Sequence, residues 1–480
     1  AIGYQAGYNV TTANRNVYIG HQAGYSQAAS AEYNVMIGQE AGYDVSGQRN
    51  LIVGGGAGSN AKVDTTESTY IGWAAGQNCS GANATFVGYS AGISTNTGAG
   101  LTAVGNNALR TITGSYNTAL GWGTMADGAG DAGANVAVGY RAVQAITTGD
   151  RNVAVGNYGL SQLQTHNDNV AIGDEAGKQI YSSNNTLVGS RAGEKLDGDT
   201  NGSGHNTIVG AWAGRGDNGT FYGGYNTIMG AYAMYSNTLT SAQKNVAIGY
   251  KAGYSATTDS SNVYIGYEAG YGMIAESYNV GIGQGSLYTD GPGSAVAIGY
   301  NAMNTATGDN CTAVGVYANK TGTGDKTVAM GVAAGSDWGG AANSVAIGYH
   351  AAYYNTGNYN VAIGEGALSG TSTNGGSNNV AVGRLAGAGA TTGVSNVFVG
   401  AGAGLGATTA QKSVIIGNNA GYALGTHNGS TIIGFEAGRF LDAGSGGSVA
   451  IGHQALYSGT QNYQDTAIGI NAGKKATGGS

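Results

Sequence analysis

AIGYQAGYNVTTANRNVYIGHQAGY, residues 1–25, states one phrase nearly twice. Ala1-Ile2-Gly3 with Ala6-Gly7-Tyr8 returns as Tyr18-Ile19-Gly20 with Ala23-Gly24-Tyr25. Taking the glycine after the aliphatic residue as an anchor, the phrase continues at Gly38, Gly54, Gly72 and Gly88 and is still present at Gly434, Gly452 and Gly469. About 28 copies at a mean spacing of about 17 residues mark a repeat architecture rather than a set of globular domains. The chain therefore reads as one continuous repeat domain over residues 1–480, with its longest coils between 189 and 249.

Each copy obeys rules of residue size. The residue before the anchor is aliphatic or Met, as in Ile19, Val53, Leu120, Met229 and Ile468, and the residue three after it is nearly always Ala. Four before the anchor stands Asn in most copies (Asn16, Asn34, Asn135, Asn169, Asn262, Asn360, Asn396) and Ser in others (Ser68, Ser344, Ser413). The phrase NVAIG predicts a short strand, since alternate Val and Ile share one face and β-branched residues suit a pleated ladder. A period near 17 leaves room for two short strands and two turns, so the fold class is all-β, a parallel β-solenoid in which equivalent residues stack about 4.8 Å apart. Anchor glycines can take backbone angles closed to other residues, and Asn at the strand entry can form an amide ladder from coil to coil.

Both faces of the strand are apolar. Val and Ile point one way, and the intervening position carries Ala or a large residue such as Tyr18, Met36, Tyr70, Phe86, Tyr264, Phe398 or Ile415. One face fills the coil and the other needs a separate cover. Ordering a coil costs more than its own apolar burial and ladders return, which predicts burial against sister chains.

Composition narrows the function classes. The 480 residues include 92 Gly, 1 Pro and 32 Tyr, with 41% apolar and only 9% charged residues. Disordered glycine-rich linkers lack that apolar and aromatic content. The net charge of -7, with basic residues scattered singly, offers no stripe for a phosphate backbone, so no nucleic-acid partner is expected. No apolar run approaches about 18 residues, so no membrane insertion is expected within this segment. No secretory signal is visible and the first residue is not Met, so an interior piece of a longer chain is expected.

NSVAIGYHA (Asn343 to Ala351) and GSVAIGHQA (Gly447 to Ala455) resemble the repeats of YadA-like heads in trimeric autotransporter adhesins. NTALGWGTM (Asn117 to Met125) and NNVAVGRLAG (Asn378 to Gly387) are similar to repeat segments in the tail fibres of marine tailed phages. The resemblance covers essentially the whole chain. It implies a left-handed β-roll, a homotrimer packed about a three-fold axis, and an extracellular fibre that attaches a virion or a bacterial cell to surface glycans or receptors. The coil is longer than is usual in adhesin heads, and no neck, coiled-coil stalk or membrane anchor is present in these residues. A hexapeptide left-handed helix also uses about eighteen residues per coil, but it demands an aliphatic every six positions. One strict aliphatic site per coil favours the two-sided roll.

Few residues have catalytic or metal-binding spacing, so no enzyme and no cofactor are expected. Glu40, Asp174, Glu175, Glu268, Glu365 and Glu436 form a loose acidic column. Apart from the adjacent Asp174 and Glu175, they stand at least four coils apart, roughly 19 Å at the solenoid rise, too far for paired carboxylate catalysis at about 5–9.5 Å. The six histidines are dispersed and none has ligand spacing. Cys79 and Cys311 lie some fourteen coils apart, which excludes an intrachain bridge needing Cα atoms within about 7 Å. DGDTNG (Asp197 to Gly202) copies the first half of a calcium loop, with oxygen ligands from Asp197, Asp199 and Asn201, but Ile208 stands where the closing Glu belongs. Arg215-Gly216-Asp217 is the tripeptide read by integrins, in a chain rich enough in Gly and Asp to produce it by chance. GGGAG (Gly54 to Gly58) has no following helix to make it a phosphate loop.

Tyrosine is the remaining candidate. It recurs one after the anchor (Tyr4, Tyr89, Tyr140, Tyr250, Tyr267, Tyr300, Tyr349) and five after it (Tyr8, Tyr25, Tyr43, Tyr254, Tyr271, Tyr422). Stacking is predicted between Tyr250 and Tyr267 and between Tyr254 and Tyr271, giving ladders that stiffen the roll's edge or receive sugar rings. Two function classes follow: a structural and adhesive fibre about 130 Å long for 28 coils, and a solenoid that binds or degrades glycans at one local patch. Ice binding would need a flat, regular Thr array, which the sequence lacks.

Overall fold

The computed structural model describes residues 1–480 apart from 29, 61–64, 96, 198–203, 217–220, 222, 237–240, 371–374, 442–445, 461–463 and 478–480. It divides into two units, Ala1–Asn245 and Val246–Ser480. Both are all-β parallel solenoids, with no helix among the described residues. The repeated strand is three residues long, and among the described residues 27 such strands are distributed between the units. In the first unit the ladder runs from Val17–Ile19 to Thr227–Met229, and in the second from Val246–Ile248 to Thr466–Ile468.

Register is strict and parallel: Val17, Tyr18 and Ile19 pair with Val35, Met36 and Ile37, and Val345, Ala346 and Ile347 with Val361, Ala362 and Ile363. The anchor glycine ends each strand with φ between 125° and 142°. A Cβ on Gly20 would lie 2.3 Å from the Gly38 carbonyl oxygen of the next coil, so any side chain there collides with its neighbour. That collision, as much as backbone angle, fixes the glycine column.

Among the described residues, the second strand expected in each coil is mostly absent. Second strands occur at Gln179–Tyr181 with Lys195–Asp197, and at Phe440–Leu441 with Ser458–Thr460 and Lys475–Thr477. Elsewhere the return path is a run of turns with positive φ two and four residues after the anchor, as at Gln22 (54°) and Gly24 (60°). These turns still pair coil to coil: Gln22 N–H donates to Tyr4 O (2.8 Å) and Gly24 N–H to Ala41 O (3.0 Å). Backbone groups are thus satisfied without a regular strand.

The structure decides which strand face turns inward. The middle residue of each strand is buried, including Tyr70, Phe86, Tyr264 and Phe398, and the Ala three after the anchor is buried beside it. Val and the aliphatic residue before the anchor point outward and stay partly exposed, Leu120 by 46% and Ile172 and Met330 by 42% each.

Inside the coil, the middle residue trades volume with the residue four after the anchor. Where the first is aromatic the second is Gly: a Cβ on Gly92 would sit 2.6 Å from Phe86, and one on Gly404 2.2 Å from Phe398. Where the first is Ala the second is often large and buried, as in Ala103 with Leu109, Ala119 with Met125, Ala154 with Leu160 and Ala297 with Met303. Where both are small, another side chain enters: Trp338 lies against Gly335, and Phe398 of the next coil against Gly387. Interiors are filled to constant density, and here that density is met coil by coil.

The Asn column forms the predicted ladder. Asn135 Oδ1 accepts from the backbone N–H (2.8 Å) and Nδ2 (3.1 Å) of Asn152, whose own Oδ1 serves Asn169 in the same way (3.0 and 3.1 Å). The spare amide hydrogen caps the far turn, Asn152 Nδ2 donating to His166 O (2.9 Å). Ser at this position keeps half of the pattern: Ser68 Oγ accepts from Ala84 N–H (3.2 Å).

Candidate functional site

The turns one to six residues after the anchor carry most of the exposed aromatic side chains. Because equivalent positions stack, rings in one column meet face to face. Tyr250 and Tyr267 stack at 5.3 Å between centroids, and Tyr254 and Tyr271 at 4.9 Å and 5°. The second ladder extends to Tyr288, 5.0 Å from Tyr271. All four tyrosines expected from the sequence are brought together. Lys251 joins the two columns, its Nζ 5.3 Å from the ring centres of Tyr250 and Tyr254 and 5.6 Å from Tyr271. Partial burial acts against the Lys251 ammonium, but the Tyr250, Tyr271 and Tyr254 phenols outweigh it and raise its pKa. The Glu268 carboxylate and some burial push the Tyr267 phenol up. Parallel rings about 5 Å apart leave no room for a sugar ring between them, so these ladders present edges and end faces.

A second aromatic group lies at Tyr349–Tyr354 in the same unit. His350 stacks on Tyr349 (4.1 Å) and on Tyr353 (4.7 Å), and Tyr354 stands at 82° to Tyr353. Burial pushes the Tyr353 phenol up, with the Asp337 carboxylate adding to it. An open cleft of about 340 Å³ lies against these rings, closed by Glu365, Gly366, Ser369 and Leu385. In the sequence Tyr349 is one of the recurrent tyrosines and Glu365 one of the scattered acids, and nothing in either pattern marks a cleft. The signal was YHAAYY followed one coil later by glycine and serine at the positions where ladders continue elsewhere.

The other expected residues fall apart or lie elsewhere. Asp197 ends the strand Lys195–Asp197, while Asp199 and Asn201 lie outside the described residues, as does Asp217 of the Arg-Gly-Asp tripeptide. Among the described residues no group of three or more His, Cys, Asp or Glu is placed to hold a metal ion. Glu175 is engaged by Lys178 (2.7 Å) and Arg191 (2.8 Å), and Lys178 above all holds its carboxyl below the usual range. Glu436 pairs with Arg439 and accepts from Gln454 Nε2 (2.7 Å). Cys79 and Cys311 are buried and free. No helix of the described residues is long and apolar enough to cross a membrane.

Compared with known proteins, the chain matches no family model and no curated protein sequence.

Proposed function

We propose that this chain is a fibre-forming structural and adhesive protein, a homotrimeric β-roll displayed outside a cell or on a virion. The observation that carries the reading is the outward strand face. In the first unit Leu120, Val155 and Ile172 are exposed on it, and in the second Ile298, Met330, Ile347 and Ile363. At about 4.8 Å per strand the stripe runs on the order of 60 Å in each unit, longer than soluble monomers ordinarily leave uncovered. The occupant that fits it is a second copy of the same stripe: the face is repetitive and carries no charge to specify another partner. The likeness of NSVAIGYHA to adhesin head repeats supports three copies and a left-handed path. With the stripes buried between chains, the aromatic turns would remain outward for attachment to surface glycans or receptors, without catalysis.

The test is twofold. Light scattering of the purified chain should give three times the monomer mass, and a single-chain mass would reject the assembly. A glycan-array screen run beside a hydrolysis assay on the same polysaccharides separates attachment from degradation, and turnover would reject the non-enzymatic reading.

A further inference from the structure

We propose that the cleft between the Tyr349–Tyr354 turn and Leu385 binds one neutral pyranose unit of a glycan. The cleft exists because stacking columns are interrupted. Two residues after the anchor most coils carry a side chain, such as Gln5, Gln22, Glu40 or Lys251, but the coil after His350 carries Gly366. Five after the anchor, where Tyr254, Tyr271 and Tyr288 cover one another, Tyr353 is followed by the small Ser369. The rings of His350 and Tyr353 are therefore left without the next member of their columns, and Leu385 forms the far wall two coils on.

The lining matches what a sugar ring needs. Its axial C–H face is apolar and packs on an electron-rich ring, and its hydroxyls need a few convergent polar groups. Tyr353 and Tyr354, at 82°, make a right-angled aromatic corner. The Glu365 carboxylate, the Ser369 hydroxyl and the His350 imidazole supply acceptors and donors along the rim. A cleft of about 340 Å³ lies within the usual range for small ligands, about 300–1,000 Å³. Among the described residues no Lys or Arg lines it. The carboxylate then disfavours uronic and other acidic sugars and leaves neutral hexoses and N-acetylhexosamines. The proposal rests on the attachment reading for its biological use only; binding belongs to one chain and is measured apart from trimer mass.

The experiment is saturation-transfer NMR with titration calorimetry on the full chain, using methyl glycosides of glucose, galactose and N-acetylglucosamine, with glucuronate and choline as comparators. A neutral glycoside is expected to bind with a Kd on the order of 1 mM. Gly366→Gln copies the residue that Gln5 and Gln22 place at the same position, where φ is 54° against 62° at Gly366. A Cβ there meets only the movable ends of Leu385 (2.7 Å) and Ser369 (3.7 Å), so the coil should fold while the cleft closes. Binding should weaken at least about tenfold in Gly366→Gln and in Tyr353→Ala, while Gly366→Gln stays folded, its melting temperature lowered by no more than a few degrees through the left-handed backbone at that position. Absence of binding by every neutral glycoside, binding unaltered by both variants, or preference for glucuronate would overturn the proposal. Preference for choline would overturn it in favour of an organic-cation cage.

Discussion

The volume trade inside each coil makes a quantitative prediction at Ala154 and Leu160. Both are fully buried, and Leu160 occupies the position that is Gly wherever the middle strand residue is aromatic. Leu160→Gly alone removes a buried aliphatic side chain, a loss of about 2–5 kcal/mol for comparable truncations. Leu160 also holds a positive φ of 49°, and relief of that left-handed geometry returns about 1 kcal/mol. The net cost is about 1–4 kcal/mol. Ala154→Phe alone forces a ring into space that Leu160 fills and costs about 1–3 kcal/mol or more by overpacking. Together the changes rebuild the arrangement of Phe86 with Gly92 and Phe398 with Gly404. The double variant should lie within about 1–2 kcal/mol of the parent, a favourable coupling of about 3 kcal/mol at the middle of these ranges. Because solenoid stability is partly local, the readout is hydrogen exchange at the Leu160 amide, bonded to Ala176 O (3.1 Å), and the Val153 amide, bonded to Asn169 O (2.8 Å), together with denaturant midpoints. Additive losses in the double variant would refute the trade.

Asn152→Ala should cost about 2–6 kcal/mol, because it leaves the Asn169 backbone N–H and His166 O without their partner, at about 1–3 kcal/mol per unpaired group, while Asn135 Oδ1 keeps the backbone N–H of residue 152. Asn152→Ser should cost less, and equal losses in exchange protection at Asn169 would count against the ladder. Burial raises the Asp259 carboxyl from 3.8 to about 7, against the opposing hydrogen bonds from Asn262 and Tyr264. It stays protonated in the fold while the unfolded chain ionises, so its contribution is complete below about pH 4, declines as pH rises to about 7 and is flat above. The total is up to about 4 kcal/mol at about 1.4 per unit. Asp259→Asn should therefore gain melting temperature over the parent at pH 8 and little at pH 4; a pH-independent difference would refute the assignment. Ala252→Leu, at a fully buried site three after Gly249, should lower stability by about 1–3 kcal/mol through overpacking. Unchanged melting would show that the position has room.

Features that recur at one position in every copy were legible in the sequence. Gly20 and its equivalents, the Ala23 column, the Asn ladder and the Tyr250–Tyr267 and Tyr254–Tyr271 stacks follow from period and residue type, because a side chain that must match its copy one coil away leaves a column of like letters. The inward face was not readable from single positions, since Val17, Tyr18 and Ile19 are all apolar. The deciding signal was relational: Phe86 with Gly92 against Ala103 with Leu109. The expected second strand failed because left-handed turns at Gln22, Glu40 and Lys251 have no compositional mark; ordinary residues hold φ near 55° there. The cleft beside Tyr353 escaped for a different reason. It is made by what Gly366 and Ser369 lack, and a gap in a column is visible only once the columns are known to stack.

The central claim is that equivalent residues stack into a solenoid whose outward aliphatic stripe is shared among identical chains. Light scattering on the parent and on Ile347→Asp/Ile363→Asp, which charges two adjacent exposed members of that stripe, tests it most directly. Three chains per particle in the parent, with dissociation or a loosened assembly in the variant, is the predicted result. A parent that remains a single folded chain in solution, with the stripe facing water, would contradict it.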